Sequence, residues 1–155
     1  FTLLKNGEKV IYDLKEGYAY LPEMAEGDEI TLQLDDTPHF VYASTKIAAD
    51  TGKTALKRGP LVYCFEGVDN EKDVLSLKLL KNSKIEIQKY EKDLLSGTER
   101  MSVAAVRVED SDESIAGSSY STVLPKEYPC TAVAIPYYTW GNRGENQMRV
   151  WMNFC

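Results

Sequence analysis

The stretch ALKRGPLVYCF, residues 55–65, decides the fold. Leu61, Val62, Tyr63, Cys64 and Phe65 are apolar on both faces of an extended chain, rich in β-formers and bounded by Gly59-Pro60. That is the pattern of a central strand covered on both sides rather than of a half-exposed one. Proline cannot donate to a ladder, so Gly59-Pro60 is expected to mark a bulge or a bend where the strand switches sheets.

Working outward, upstream Ile30, Leu32 and Leu34 alternate with Thr31 and Gln33, the period-two signature of a half-buried strand. Asn6-Gly7 sits between two extended runs, at 2–5 and 8–12, and its easy access to positive φ suits a type I′ hairpin turn. Further strands are expected at 17–21 and 40–43, with 49–53 a connecting loop. Downstream, 74–80 and 83–90 read as strands, the latter with Ile85 and Ile87 opposite Glu86 and Gln88, followed by 101–108, 131–135 and 147–153. The best helix candidate, 91–96, is a single turn, and the acidic, Ser-rich stretch 109–120 reads as a mobile surface loop. Short strands with turn signals at intervals of about 8–12 residues predict an all-β, antiparallel, jelly-roll-like sandwich. Two small packed β units are a variant of it: residues 1–45 as the tail of a first sandwich unit and 46–155 as a C-terminal sandwich.

Composition narrows the function. The chain has 155 residues, 43% of them hydrophobic and 27% charged, and no window nears the roughly 18 uninterrupted apolar residues of a membrane helix. Its formal charge of -6, with scattered Lys and Arg, argues against nucleic acid, which draws on clustered cations. Cys64, Cys130 and Cys155 show no metal-ligand spacing and His39 is the single histidine, so no zinc site and no other cofactor are expected in this chain. The cysteines read as small hydrophobes, with the disulfide state open. The chain starts in mid-strand without a signal-peptide pattern and reads as an excised piece.

The residues that could carry chemistry are few. Arg58, before the bend, suits a ligand carboxylate or sugar hydroxyl, or equally the carbonyls that Pro60 leaves unpaired. Glu66 and Asp69 are two carboxylates at a strand end; a glycosidase needs such a pair across its bond, but adjacency in one loop does not set that geometry. The run from Asp110 to Glu113 is rich in oxygen ligands yet lacks the glycine and bidentate acid of a calcium loop. His39 has no evident partner. No GxSxG, HExxH, GxGxxG or P-loop occurs, and Cys64 has no histidine in its own motif. The remaining concentration is AIPYYTWGNRGENQMRVWM, residues 134–152, with Tyr137, Tyr138, Trp140 and Trp151 around a turn that carries Arg143. Strand alternation would point Tyr137 one way and Tyr138 and Trp140 the other, one set into the core and one into a contact. Tyr137, Tyr138, Trp140, Asn142, Arg143 and Arg58 are therefore the candidates for an interface or a sugar contact.

RGPLVYCFEGVDN (58–70), AIPYYTWGNR (134–143) and MRVWM (148–152) together resemble the C-terminal β region of glycoside hydrolase family 127, best known for β-L-arabinofuranosidase activity. NGE (6–8), GYAYL (17–21) and EGDEITLQL (26–34) resemble the sandwich segment preceding it. Departures are His39 where relatives carry proline and arginine, Gly141 where they often carry alanine, and a less recognisable stretch from 71 to 128. The resemblance implies an intact enzyme with an N-terminal (α/α)6 barrel, where a zinc-bound cysteine is the nucleophile alongside glutamate and further cysteine ligands. None of those positions falls in this chain, so Cys64 inherits no catalytic or metal role. The implied partners are that barrel, a second subunit and a glycan, and the substrate class points to a periplasmic or extracellular address. Three functions follow as expectations: a non-catalytic sandwich supporting the barrel or a dimer, a carbohydrate-binding module, and a self-contained hydrolase using Glu66 or Asp69.

Overall fold

A computed structural model describes residues 1–71, 73–110 and 120–155. The chain divides into two units, Phe1–Thr37 and Pro38–Cys155.

In the first unit β1 (Thr2–Lys5), β2 (Glu8–Lys9) and β5 (Ile30–Gln33) form an antiparallel sheet in the order β2-β1-β5, while β3 (Asp13–Lys15) and β4 (Tyr18–Tyr20) form a separate hairpin. The Asn6-Gly7 turn has φ of 52° and 85°, the positive pair a type I′ turn requires. Asn6 Nδ2 donates to Asp28 Oδ1 at 2.7 Å, and Asn6 Oδ1 accepts from the Glu29 amide at 2.9 Å, tying the turn to the entry of β5. Leu3 is the buried apolar residue of this unit; Leu32 and Leu34 are exposed. The alternation in β5 thus makes the strand, but this unit supplies no second layer to cover its apolar face.

The second unit holds β6 (Pro38–Tyr42), β7 (Lys53–Arg58), β8 (Leu61–Glu66), β9 (Leu77–Leu79), β10 (Ile85–Ile87), β11 (Met101–Glu109), β12 (Lys126–Pro136), β13 (Met148–Arg149) and β14 (Met152–Phe154). Pairings run in a closed circuit, β7 to β8, β12, β11, β9, β14 and back to β7, with β6, β10 and β13 attached to it. All are antiparallel except β9–β14. The expectation of an all-β, sandwich-like fold holds. Leu56, Tyr63, Phe65, Leu77, Leu79, Met101, Val103, Ala132, Ala134 and Met152 make one buried core. On β11 the inward set Met101, Val103 and Ala105 keeps the period of two that a pleated strand imposes.

Three local expectations change. Gly59-Pro60 is the tip of a tight hairpin, with Arg58 paired to Leu61 and Lys57 to Val62, instead of a bulge or sheet-switching bend. Gly59 takes φ 53°, and in a turn Pro60 has no ladder bond to lose. Accordingly Leu61 and Val62 are exposed near the turn, while Tyr63, Cys64 and Phe65 are fully buried where β8 meets β12. Residues 91–96 form no helix: Glu91 and Thr98 bridge through paired backbone bonds of 3.0 and 3.2 Å, closing a loop. Of the expected surface loop and the oxygen-rich run, residues 111–119 lie outside the described residues. No helix among the described residues is long and apolar enough to cross a membrane.

Candidate functional site

The site forms where β8 and β12 both end. β8 runs out at Glu66 and enters a 3-10 turn, Gly67–Asp69; β12 runs out at Pro136 and enters another, Tyr137–Thr139. Asn70 holds the first turn against β12 by acting as a stand-in strand residue: its Nδ2 donates to the Val133 carbonyl at 2.9 Å and its Oδ1 accepts from the Val133 amide at 2.9 Å. In the second, Thr139 Oγ1 donates to the Pro136 carbonyl at 2.6 Å, and Asn142 Nδ2 donates to the Thr139 carbonyl at 3.0 Å. Gly141, at φ 78°, lets the chain turn and brings its amide within 2.9 Å of Glu66 Oε1.

Arg143 is thereby delivered to two carboxylates. Its Nε donates to Glu66 Oε2 at 3.0 Å and its Nη1 to Asp69 Oδ1 at 2.9 Å, while Nη2 bonds both acids. Glu66 is fully buried, and the side chains of Asp69 and Arg143 are nearly so. Burial works against the charge on Arg143, but the hydrogen bonds it donates to Asp69 and then to Glu66 outweigh that and hold the guanidinium above its usual range. Asp69 also meets Arg100 at 3.5 Å, and Arg100 pairs with Glu91 at 2.5 Å. Such a network is chemically committed. Carboxylates clamped on one guanidinium do not flank a gap for a scissile bond and its water.

The aromatic residues separate into two groups. Tyr137 and Trp140 stack with ring centroids 6.4 Å apart and an interplanar angle of 28°. This corrects the strand alternation expected for them. A 3-10 turn has about three residues per turn, so residues three apart fall on one side. Both rings are exposed, at 44% and 43%, and Tyr138 is more so at 66%. Tyr138, Thr139, Asn142 and Arg143 form one wall of a cleft of about 610 Å³ whose other wall is the loop of Asp93, Leu94, Leu95 and Ser96. The structure thus brings Tyr138, Asn142 and Arg143 together and leaves Tyr137 and Trp140 outside the cleft. Arg58 does not line the cleft; it forms an ion pair with Glu99 and a hydrogen bond to buried Tyr63, whose hydroxyl burial pushes above the usual tyrosine range against that bond. The part played by Glu66, Asp69 and the loop at 93–96 was not legible locally, because their partners lie 77 and 74 positions away in the case of the acids.

No group of three or more His, Cys, Asp or Glu among the described residues could hold a metal. The cysteines are free thiols on β8, on β12 and after β14, and burial pushes the Cys64 thiol up to about 12, the opposite of a metal-binding thiolate.

A family model described as the glycoside hydrolase family 127 C-terminal domain matches residues 38–153. A non-reducing end β-L-arabinofuranosidase of Bifidobacterium longum subsp. longum is 37% identical over 97% of this chain and 23% of its own length. The crystal structure of a GH127 β-L-arabinofuranosidase from Geobacillus stearothermophilus T6 is 38% identical with a TM-score of 0.87, covering 99% of this chain and 24% of that one. A second GH127 β-arabinofuranosidase structure is 28% identical with a TM-score of 0.80, covering 99% and 23%. The chain therefore spans about a quarter of the length of these relatives.

Proposed function

Since the chain belongs to glycoside hydrolase family 127, as its C-terminal domain, we propose that it is the non-catalytic β-sandwich part of a β-L-arabinofuranosidase-like enzyme. Bond cleavage then resides in a catalytic domain outside this chain, and the chain supports that domain, or a second subunit, through the surface around Tyr137 and Trp140. The observation that carries this reading is the Glu66–Arg143–Asp69 cluster: the two acids best placed to act as a glycosidase pair are consumed in holding the 141–143 turn. Arginine and aromatic side chains are the usual anchors of buried interfaces. Arg143, with both charge partners inside the chain, builds the surface, and the exposed Tyr137–Trp140 stack is what it presents.

The test is Trp140→Ala with Tyr137→Ala in the intact enzyme. Loss of thermal stability or of turnover there, without unfolding of this domain, is the expected outcome; unchanged stability and unchanged turnover would refute the docking role. A second reading, a carbohydrate-binding module, is supported by the openness of Tyr138 beside the cleft. Direct binding measurements separate it from the first.

A further inference from the structure

The cleft between residues 93–96 and 138–143 is built more firmly than a surface groove has reason to be. One wall is fixed by Arg143 on Glu66 and Asp69 and by the Gly141 amide on Glu66. The opposite wall is closed at its base by the Glu91–Thr98 bridge and by the Gly97 amide on the Leu94 carbonyl at 2.9 Å. Asp69 joins the two, since Arg143 grips it from one wall and Arg100, paired with Glu91, reaches it from the other. Three consecutive residues of the second wall, Leu95, Ser96 and Gly97, have left-handed φ of 53°, 65° and 101°. Held left-handed within the closed 91–98 turn, Leu95 and Ser96 give that wall a fixed shape.

The lining states the ligand chemistry. Leu94, Leu95 and Tyr138 give apolar surface, while Asp93, Ser96, Thr139, Asn142 and Arg143 bring both hydrogen-bond donors and acceptors. The charged residues that line the cleft, Asp93 and Arg143, carry one charge of each sign, so the lining has no net charge to draw in an ion. Mixed donors and acceptors beside an open aromatic face favour a neutral ligand that carries many hydroxyls, which do both, and one flat apolar side. The volume of about 610 Å³ lies within the roughly 300–1,000 Å³ of small-molecule sites. We propose that this cleft is a preformed binding site for a neutral sugar ring of a glycan, stacked on Tyr138 and held by Asp93 and Asn142. It is separate from the Tyr137–Trp140 stack, which lies outside it. The inference rests on the reading of the chain as part of a glycan-active enzyme only for the choice of probe.

The experiment is an amide-resolved NMR titration of the chain with methyl β-L-arabinofuranoside and with an arabino-oligosaccharide, with sodium sulfate as the anionic control. Saturable shifts at 93–97 and 138–143 are expected, with affinity about tenfold weaker in Tyr138→Ala. Binding should be retained in Trp140→Ala and unaffected by sulfate. No saturable shift up to the solubility of either sugar overturns the proposal, as does binding lost in Trp140→Ala but kept in Tyr138→Ala, or displacement by sulfate. Those outcomes leave the docking role untouched, because that role is read from stability and turnover of the intact enzyme.

Discussion

Arg143 lies between two carboxylates; Asp69 has Arg100 as a second cation, but Glu66 has Arg143 alone, so removal of Arg143 leaves Glu66 buried and without an opposite charge. Breaking one side of a buried ion pair costs about 3–5 kcal/mol. Arg143→Ala is therefore expected to lower the unfolding free energy of the second unit by that order, read by urea denaturation. Lysine at the same position should recover only part of the loss, because an ammonium cannot make the fork of bonds that grips both acids. If Arg143→Lys were as stable as the parent chain, the fork would carry no weight. Trp140→Ala, by contrast, removes an exposed ring and should shift stability of the isolated chain by less than about 1 kcal/mol. The sequence made Arg143 visible as a turn residue worth attention, but not its destination. Its neighbours in the chain, Asn142 and Gly144, say nothing about acids 74 and 77 positions earlier, and only the pairing of β8 with β12 brings them together.

At the scale of elements, turns carry the specificity. Gly97 has φ 101°, and a Cβ built there would lie 1.9 Å from Tyr90 Oη. Gly97→Ala should therefore open the 91–98 loop, seen as loss of hydrogen-exchange protection at the Thr98 amide with the core strands still protected; unchanged protection would contradict the account. In the first unit, Asp28 ties the Asn6-Gly7 turn to β5. Its hydrogen bond from Lys5 and then those from the Ala25 amide and Asn6 lower its pKa from 3.8 to about 2. A carboxyl depressed in the folded state stabilises at pH above 3.8 and loses that contribution as pH falls toward 2. Amides of β1 and β5 are accordingly expected to lose protection across that window, and Asp28→Asn should flatten the dependence; a parent-like profile in the variant would exclude Asp28 as the cause. This hairpin was legible from Asn6-Gly7 alone, since the turn chemistry is local. The 3-10 geometry of Tyr137–Thr139 was not: it starts at Pro136 where the β8 ladder ends, and a strand-like reading of the same residues sends Trp140 to the wrong side.

At the scale of the whole chain, the apolar run of β8 gave the right class of fold for a partly different reason. Its second half is buried because β12 lies against it and the closed circuit packs both onto Leu77, Met101 and Met152; its first half is a hairpin arm in solvent. Phe65→Ala at the centre of that core should cost about 3–5 kcal/mol, more than any change in the exposed aromatic surface. The proposed function follows from the same arrangement, for Glu66 and Asp69 are held on Arg143 within the turns. The most direct measurement is hydrolysis of a nitrophenyl β-L-arabinofuranoside by the folded chain alone, beside the intact enzyme. Turnover by the intact enzyme and none by the chain is the predicted result. Turnover by the chain that disappears in Glu66→Gln or Asp69→Asn would contradict it and return those acids to catalysis.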